Sequence, residues 1–515
     1  MLVIELDREN FEYDAQAFVK AFFPEEQVEV LLPESRADKR EKLSGEVKIR
    51  VVTGERQAEV FISPKLHSEG ALADPRSRTC SIQKVAATDG GSAGGPDTFL
   101  CYRWEQAKEK SYKEGFKEFF YRTLSEITGR QLPWGMLTGI RPTKIAYGML
   151  EEGRSRQEIL EHYCGSYFVS SAKAELAATI AERERRLLAG VHYEDGYSLY
   201  IGIPFCPTTC LYCSFTSYPI AGYQKRVDGY LDCLLKEAED AAGQLQGKIL
   251  DSVYIGGGTP TTLEPEQLDR LLSGLKELFD FGRVQEFTVE AGRADSITEE
   301  KLKTLYRHGV TRISVNPQTM KQETLELIGR RASVEQVEAA YALARRVGFD
   351  NINMDIILGL PGEGPEDVQR TIDRLTELSP DSLTVHSLAV KRASGLNRWI
   401  QENGTSMLRN TEETMAIAAK GAKRLGMAPY YLYRQKNMSG NFENVGYARE
   451  GKFGLYNILI MEEMQSIVAL GAGSISKRVY PDGRIERSEN VKDVALYMEK
   501  IDEMMERKRR LLGDF

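Results

Sequence analysis

The chain has 515 residues, 42% of them hydrophobic and 28% charged, which is the composition of a globular protein with material for roughly two to four domains. Lys plus Arg total 68 against 76 Asp plus Glu, a formal charge of −8, so a nucleic-acid binder built on a basic face is disfavoured. No run of about 18 apolar residues exists to span a membrane, seven cysteines are too few for a disulfide scaffold, and Met1-Leu-Val-Ile-Glu-Leu-Asp7 lacks the basic start of a secretory signal, so a cytoplasmic location is expected.

Residues 1–64 read as a small α+β unit. Leu2–Leu6 and Gln27–Leu32 are short strand candidates around a helix near Phe11–Phe22, and Glu46–Val52 with Glu59–Ile62 alternate like a hairpin about Thr53-Gly54-Glu55. Residues 65–98 are expected to be a flexible linker or loop, marked by Ala86-Ala-Thr-Asp-Gly-Gly-Ser-Ala-Gly-Gly-Pro-Asp97. Residues 99–190 follow as a helical extension, with helices predicted near Gln106–Thr128, Pro142–Glu152 and Ser170–Leu188.

Across 191–400 the pattern changes. Strand-like runs at Ser198–Phe205, Leu250–Ile255, Glu286–Glu290, Arg312–Val315, Ile352–Leu358 and Ser382–Leu388 alternate with helical segments at Tyr223–Leu245, Pro265–Phe279, Thr298–His308, Val334–Val347 and Pro365–Leu378. Repeated βα units imply a parallel sheet with right-handed crossovers. Six of them predict a partial (β/α)6 barrel of the α/β class, with ligands at the carboxyl ends of the strands; an open doubly wound sheet fits the same periodicity. Residues 401–515 are expected to form a C-terminal, substrate-covering region. It holds a helix near Thr411–Leu425, the aromatic and basic run Tyr430-Tyr-Leu-Tyr-Arg-Gln-Lys-Asn-Met438, and a charged amphipathic helix at Val494–Leu512.

The first barrel strand runs into Pro204-Phe-Cys206-Pro-Thr-Thr-Cys210-Leu-Tyr-Cys213. Three thiolates on one loop select zinc, copper(I) or an iron–sulfur cluster. Structural zinc and a fully ligated cubane usually take four ligands, yet Ser214 and Phe215 follow Cys213, and Cys233 falls inside a predicted helix. Three ligands on a [4Fe–4S] cube leave one iron open to bind a substrate or cofactor. A zinc loop and coincidental buried cysteines are the alternatives.

Further polar residues recur at strand ends: Val253-Tyr-Ile-Gly-Gly-Gly-Thr259, Glu290, Gln318 in Ser314-Val-Asn-Pro-Gln318, and Asp355 inside an apolar strand. Glycines at a strand end let backbone approach a ligand. A carboxylate such as Asp355 needs a partner when buried, and Arg330 can fork onto a carboxylate. Internal ion pairs among Glu290, Arg330 and Asp355 account for the same residues equally well.

The C-x3-C-x-aromatic-C loop resembles the signature of the radical S-adenosylmethionine (SAM) superfamily, and residues from about Tyr200 to Ser476 resemble its oxygen-independent coproporphyrinogen dehydrogenase branch, the HemN/HemW/HemZ-like proteins. The resemblance implies one [4Fe–4S] cluster on Cys206, Cys210 and Cys213, with SAM chelating the open iron and a reduced cluster cleaving it to a 5′-deoxyadenosyl radical. It places SAM contacts at Tyr200, Tyr212, Gly257, Gly258, Thr259, Glu290, Gln318, Arg330, Asp355 and Ala389, with Ile475 at a further such position. The long N-terminal extension, Leu137-Thr-Gly-Ile-Arg-Pro-Thr-Lys144 and Tyr431-Leu-Tyr-Arg-Gln-Lys-Asn-Met438 resemble the HemZ-like group most. That likeness implies an oxidoreductase of heme biosynthesis. It would oxidatively decarboxylate coproporphyrinogen III to protoporphyrinogen IX, fed by a low-potential electron donor such as flavodoxin or ferredoxin.

Two positions depart from the family pattern. The decarboxylases carry a further cysteine where Phe215 stands and a histidine where Gly202 stands, so the family's second SAM and its substrate acids are placed differently here or are absent. Phe215 is shared with the HemW heme chaperones, but Glu443-Asn-Val-Gly-Tyr447-Ala448 lacks their His and Trp. A heme chaperone and a radical methyl transfer with ring opening on heme are therefore the alternative functions. His386 reads as a proton donor, a heme ligand or a satisfied core histidine. Arg434, Lys436, Tyr430, Tyr431 and Tyr433 read as a porphyrin-binding set or as a plain aromatic strand.

Overall fold

The structure is a computed structural model. It describes residues 1–24, 26–43, 46–66, 85–87, 99–106, 111–139, 141–391, 394–405, 407–435, 442–513 and 515. Beyond residue 87, the expected loop up to Asp97 lies outside the described residues, as does Lys436. The chain divides into two compact units, residues 1–142 with 151–178, and residues 143–150 with 179–515.

The first unit is a six-stranded sheet in the spatial order 28–31, 2–6, 47–53, 57–62, 99–105, 85–87. Leu2–Leu6 runs parallel to both of its neighbours, and the other pairings are antiparallel. Residues 99–105 are a strand rather than the start of the expected helical segment. Tyr102 and Trp104 alternate into the core while Gln57–Ile62 pairs with this strand residue by residue. The helix begins only at Tyr112, where the Ser111 hydroxyl accepts from the Glu114 amide, and it ends at Gly129 with φ of +64°. Helices Glu12–Phe22 and Tyr112–Thr128 contribute to an aromatic core in which Phe11 meets Phe116 at 4.4 Å between ring centroids and Phe116 stacks on Phe120 at 5.8 Å.

The second unit carries the predicted α/β repeat. Its strands are β1 (Gly196–Ile203), β2 (Ile249–Gly257), β3 (Glu286–Gly292), β4 (Arg312–Val315), β5 (Ile352–Leu358), β6 (Ser382–Ser387), β7 (Ala428–Tyr433), β8 (Asn444–Ala448), β9 (Ser466–Leu470), β10 (Ile475–Val479) and β11 (Ile485–Glu489). β1 to β6 are adjacent in sequence order and all parallel, which is the partial (β/α)6 barrel. The sheet continues past both edges in the order β7-β8-β6-β5-β4-β3-β2-β1-β9-β10-β11, with β9 parallel to β1 and β8 antiparallel to β6. The C-terminal strands thus extend the barrel sheet itself.

The crossover helices lie where the periodicity put them. Pro265–Leu278 buries Leu268, Leu271, Leu272 and Leu275, one apolar stripe, and opens with a Glu264–Gln267 capping box and a proline in its first turn. No described helix is long and apolar enough to cross a membrane.

Near the amino ends of β1 and β2, Asp251 organises a buried polar plug. Its carboxylate accepts from the His192 amide (3.0 Å), Gln285 Nε2 (2.9 Å) and Gln465 Nε2 (2.6 Å). Gln465 Oε1 in turn accepts from the Ser198 hydroxyl at 2.7 Å. Asp251 is fully buried, so Asp251→Ala strands several donors at once. It is expected to lower stability by about 3–5 kcal/mol in urea unfolding followed by circular dichroism.

Candidate functional site

Backbone pairing carries on beyond the strand ends of β1 and β2. The Gly258 amide donates to Ile203 O at 2.8 Å and the Thr259 amide to Phe205 O at 2.7 Å. A Cβ on Gly258 would lie 2.5 Å from the Phe205 carbonyl oxygen, closer than any side chain tolerates. The glycine turn is therefore clamped to the chain that leads into Cys206. That loop is pinned on its other side by Leu211, whose amide donates to Ile328 O (3.0 Å) and whose carbonyl accepts from the Leu396 amide (2.8 Å).

The cysteines have different neighbours. The Thr259 hydroxyl reaches Cys206 Sγ at 3.5 Å. Arg293, which the sequence reading missed, is almost fully buried and forked onto Asp295 at 2.7 and 3.0 Å. Its Nη1 donates to Thr208 O (3.0 Å), Thr208 Oγ1 (2.7 Å) and Cys210 Sγ (3.7 Å). The signal available was a cation two residues from an acid directly after Gly292, whose φ of +59° ends β3. Burial pushes the Cys206 thiol up to about 11 and raises Cys213 as well, so ligand formation by either must release a proton.

The three cysteines line one cavity of about 450 Å³. Of the residues expected at the site, Tyr212, Gly257, Gly258, Thr259, Glu290, Gln318, Arg330, Asp355 and Ala389 all line it, as does His386. Tyr200 and Ile475 do not. The Tyr200 ring lies near-parallel to those of Tyr254 and Tyr456, 6.2 Å from each, with its hydroxyl 3.3 Å from where a Gly257 Cβ would be; Ile475 is 42% exposed on β10. Tyr431 and Tyr433 reach the cavity wall, whereas Tyr430 is buried against Asn457 and Arg434 is buried off the wall.

The far end of the cavity is acidic and aromatic. Burial pushes the Glu290 carboxyl up to about 7, although the Tyr254 hydroxyl donates to it. Asp355 moves the other way. Burial opposes its charge, but His386, with Nε2 at 3.8 Å, and Asn353 Nδ2 at 2.6 Å hold it below the usual carboxylate range. His386 Nδ1 lies 3.4 Å from the Tyr433 hydroxyl. Two carboxyls on one wall thus have opposite protonation preferences.

Several buried polar atoms here have no partner: Ser314 Oγ, Asn316 Oδ1, Gln318 Oε1 and Arg330 Nε. Each belongs to a residue lining the cavity, where a polar ligand would satisfy it. Gln318 holds a left-handed φ of +68° because its peptide bridges to β5, its amide donating to Asp355 O and its carbonyl accepting from the Ile357 amide. Arg330 donates to Asn316 O and to the Tyr212 hydroxyl.

Comparison with known proteins agrees with this geometry. Residues 200–375 match the Radical SAM superfamily. The chain is 39% identical over 413 residues to the oxygen-independent coproporphyrinogen-III oxidase-like protein HemZ of Bacillus subtilis, spanning 79% of this chain and 82% of that one. It is 37% identical over 195 residues to the heme chaperone HemW of Bacillus subtilis (38% of this chain, 51% of that one). It is 32% identical over 229 residues to the oxygen-independent coproporphyrinogen III oxidase of Escherichia coli (44% and 50%). The solved structure of the Escherichia coli coproporphyrinogen III oxidase (HemN), a radical SAM enzyme, aligns with a TM-score of 0.50 at 24% identity, over 62% of this chain and 72% of that one. The chain is a radical SAM superfamily protein. Within that superfamily it belongs to the oxygen-independent coproporphyrinogen-III oxidase-like family of the HemZ type.

Radical SAM proteins use a [4Fe–4S] cluster and SAM, and the residues present fit both. Among the described residues no three His, Cys, Asp or Glu are arranged to hold a single metal ion. A cubane binds each cysteine at a different corner, so its thiols need not converge on one point. The unpartnered oxygens and the Arg330 nitrogen suit a zwitterionic, hydroxyl-rich ligand.

Gly258→Ala forces the glycine turn off Phe205, and the expected result is loss of at least half of the bound iron after anaerobic reconstitution, read by colorimetric iron assay. Glu290 gives a pH signature in the cofactor-free protein. Its carboxyl holds its proton more tightly folded (about 7) than unfolded (about 4.3), so its contribution to stability is full below the unfolded value and is lost as pH rises through 7. Glu290→Gln should flatten the fall in melting temperature between about pH 4.5 and 7, measured by differential scanning fluorimetry.

Proposed function

We propose that this protein is a radical SAM oxidoreductase that converts coproporphyrinogen III to protoporphyrinogen IX without oxygen, as a cytoplasmic step of heme biosynthesis. Cys206, Cys210 and Cys213 hold three corners of the cluster, with SAM held by Tyr212, Gly257, Gly258, Thr259, Glu290, Gln318, Arg330, Asp355 and Ala389. Tyr200 acts from behind, by packing against Tyr254 and under Gly257. When bound and reduced, the cluster with SAM supplies a 5′-deoxyadenosyl radical. Each of two propionates would lose one hydrogen atom to a deoxyadenosyl radical, giving 5′-deoxyadenosine, and then CO2 and one electron to an external one-electron acceptor, leaving a vinyl group.

The observation that carries this reading is a single cavity that runs from the three thiols to the Glu290–Asp355–His386 wall, in a chain that shares 39% identity with most of a HemZ-like relative. Glu290 is suited to take an ammonium group and the Arg330 guanidinium a carboxylate, while Asp355, kept ionised by His386, can accept from ribose hydroxyls. Ile357, Leu388, Ile460 and Met461 supply apolar wall to the same cavity.

A second reading, heme binding and delivery, is favoured by Phe215. It stands 76% exposed beside the cysteines, where the decarboxylases have a further cysteine. The test is incubation of reconstituted protein with reductant, SAM and coproporphyrinogen III, followed by chromatography of the oxidised porphyrins. Harderoporphyrinogen and protoporphyrinogen are the expected products, and Cys210→Ala is expected to lose both the cluster and all turnover. Stoichiometric heme binding without turnover would replace the reading with the chaperone; a methylated, opened tetrapyrrole formed from heme would replace it with ring-opening chemistry.

A further inference from the structure

The cavity wall carries five side chains that are or can become cations: Arg293, Arg312, Arg330, His386 and Lys391. Four of them are engaged by the protein. Arg293 is forked onto Asp295, and Arg312 donates to Asn351 Oδ1 and Lys452 O at 3.0 Å each. Arg330 donates to Asn316 O and the Tyr212 hydroxyl, and His386 faces Asp355 and Tyr433. Lys391 differs. Among the described residues its ammonium has no ion-pair or hydrogen-bond partner, although the side chain is half-buried. Burial alone acts on it and lowers its pKa, with no carboxylate of the chain opposing the shift. A lysine that gives up hydration without gaining a partner is disfavoured until a counter-charge arrives.

The backbone of Lys391 is fixed. Its carbonyl accepts from the Ser394 amide at 3.1 Å and the Ser394 hydroxyl at 2.8 Å, and Leu396 donates to Leu211 O in the cysteine loop. Ala389 lines the same cavity, while Val390 packs with Leu211 and Tyr212 on the apolar cluster of Leu388 and Leu396. Ala389 and Lys391 thus share the cavity face of the segment that follows β6. The same lining includes the exposed ring of Phe215. An exposed aromatic ring and an uncommitted cation on one cavity suit a ligand with a flat apolar body and carboxylates at its edge.

We propose that Lys391 is the receptor for a propionate carboxylate of the tetrapyrrole. The proposal rests on the reading of the cavity as a tetrapyrrole site, but not on which reaction follows, since coproporphyrinogen and heme both carry propionates. Lys391 takes the role expected of Arg434, which is buried off the wall. An ammonium acts as a compact point charge, so one carboxylate oxygen satisfies it and an arginine can stand in for it.

The test is direct binding. Reconstituted full-length protein is equilibrated with coproporphyrin III by dialysis in dilute detergent, and bound porphyrin is measured by absorbance. Parent and Lys391→Arg are expected to bind alike, and Lys391→Gln about tenfold or more weakly. The tetramethyl ester, which has no carboxylate, should bind all three alike. Lys303→Gln, on an exposed lysine paired with Glu299, should match the parent. Retention of SAM should not change in Lys391→Gln. Equal coproporphyrin affinity in parent and Lys391→Gln, an equal loss with the ester, or a loss of SAM instead would overturn the receptor. Heme as a second ligand separates this proposal from the reaction. If heme binding depends on Lys391 while coproporphyrin neither binds nor turns over, the receptor stands and the coproporphyrinogen reaction fails. If coproporphyrinogen turns over with the same KM in parent and Lys391→Gln, the reaction stands and the receptor fails. A parent that binds neither tetrapyrrole also refutes the receptor.

Discussion

The arrangement at the cavity depends on one stretch of backbone pairing, in which Gly258 and Thr259 donate to Ile203 and Phe205 past the formal ends of β2 and β1. Because no side chain fits at Gly258, the turn after β2 meets the segment before Cys206 at backbone distance. Arg293 completes the clamp from β3. Its guanidinium is held rigid by Asp295 and spends its remaining donors on Thr208 and Cys210. Three consecutive strands thus converge on a loop that has little regular structure of its own, only the two-residue pairing of Phe205–Cys206 with Tyr218–Pro219.

From that clamp the electrostatics of the cavity follow. At the thiol end burial raises the Cys206 and Cys213 thiols, and the opposite wall divides its carboxyls between a reluctant acid at Glu290 and a stabilised anion at Asp355. Such divergence comes from environment rather than from residue type.

Much of this was legible in one dimension. The cysteine spacing, the glycine turn one βα unit later, and acids at the ends of β3 and within β5 are local patterns, and a parallel α/β sheet brings strand ends together by topology. The helix and strand boundaries of β2 to β6 were readable for the same reason, since short apolar runs that are buried on both faces alternate with amphipathic segments of 3.6-residue period. Residues 99–105 were misread because Phe99-Leu-Cys-Tyr-Arg-Trp-Glu105 precedes a long helical pattern, and only pairing with 57–62 selects a strand. Arg293 went unseen because an arginine after a strand has many ordinary uses; its role appears only when Thr208 and Cys210 fold against it.

The amino-acid sequence by itself determined the repeated βα order and the close spacing of the three cysteines, because each is a property of residues close in the chain. Only the tertiary structure decided that Tyr200 supports the cavity from behind, that Gln318 is held in a left-handed conformation, that Glu290 and Asp355 shift in opposite directions, and that β9 extends the sheet beyond β1. Those outcomes depend on burial and on partners far apart in sequence, such as Tyr254 for Glu290 and His386 for Asp355. Neither burial nor a long-range partner is encoded in any local pattern.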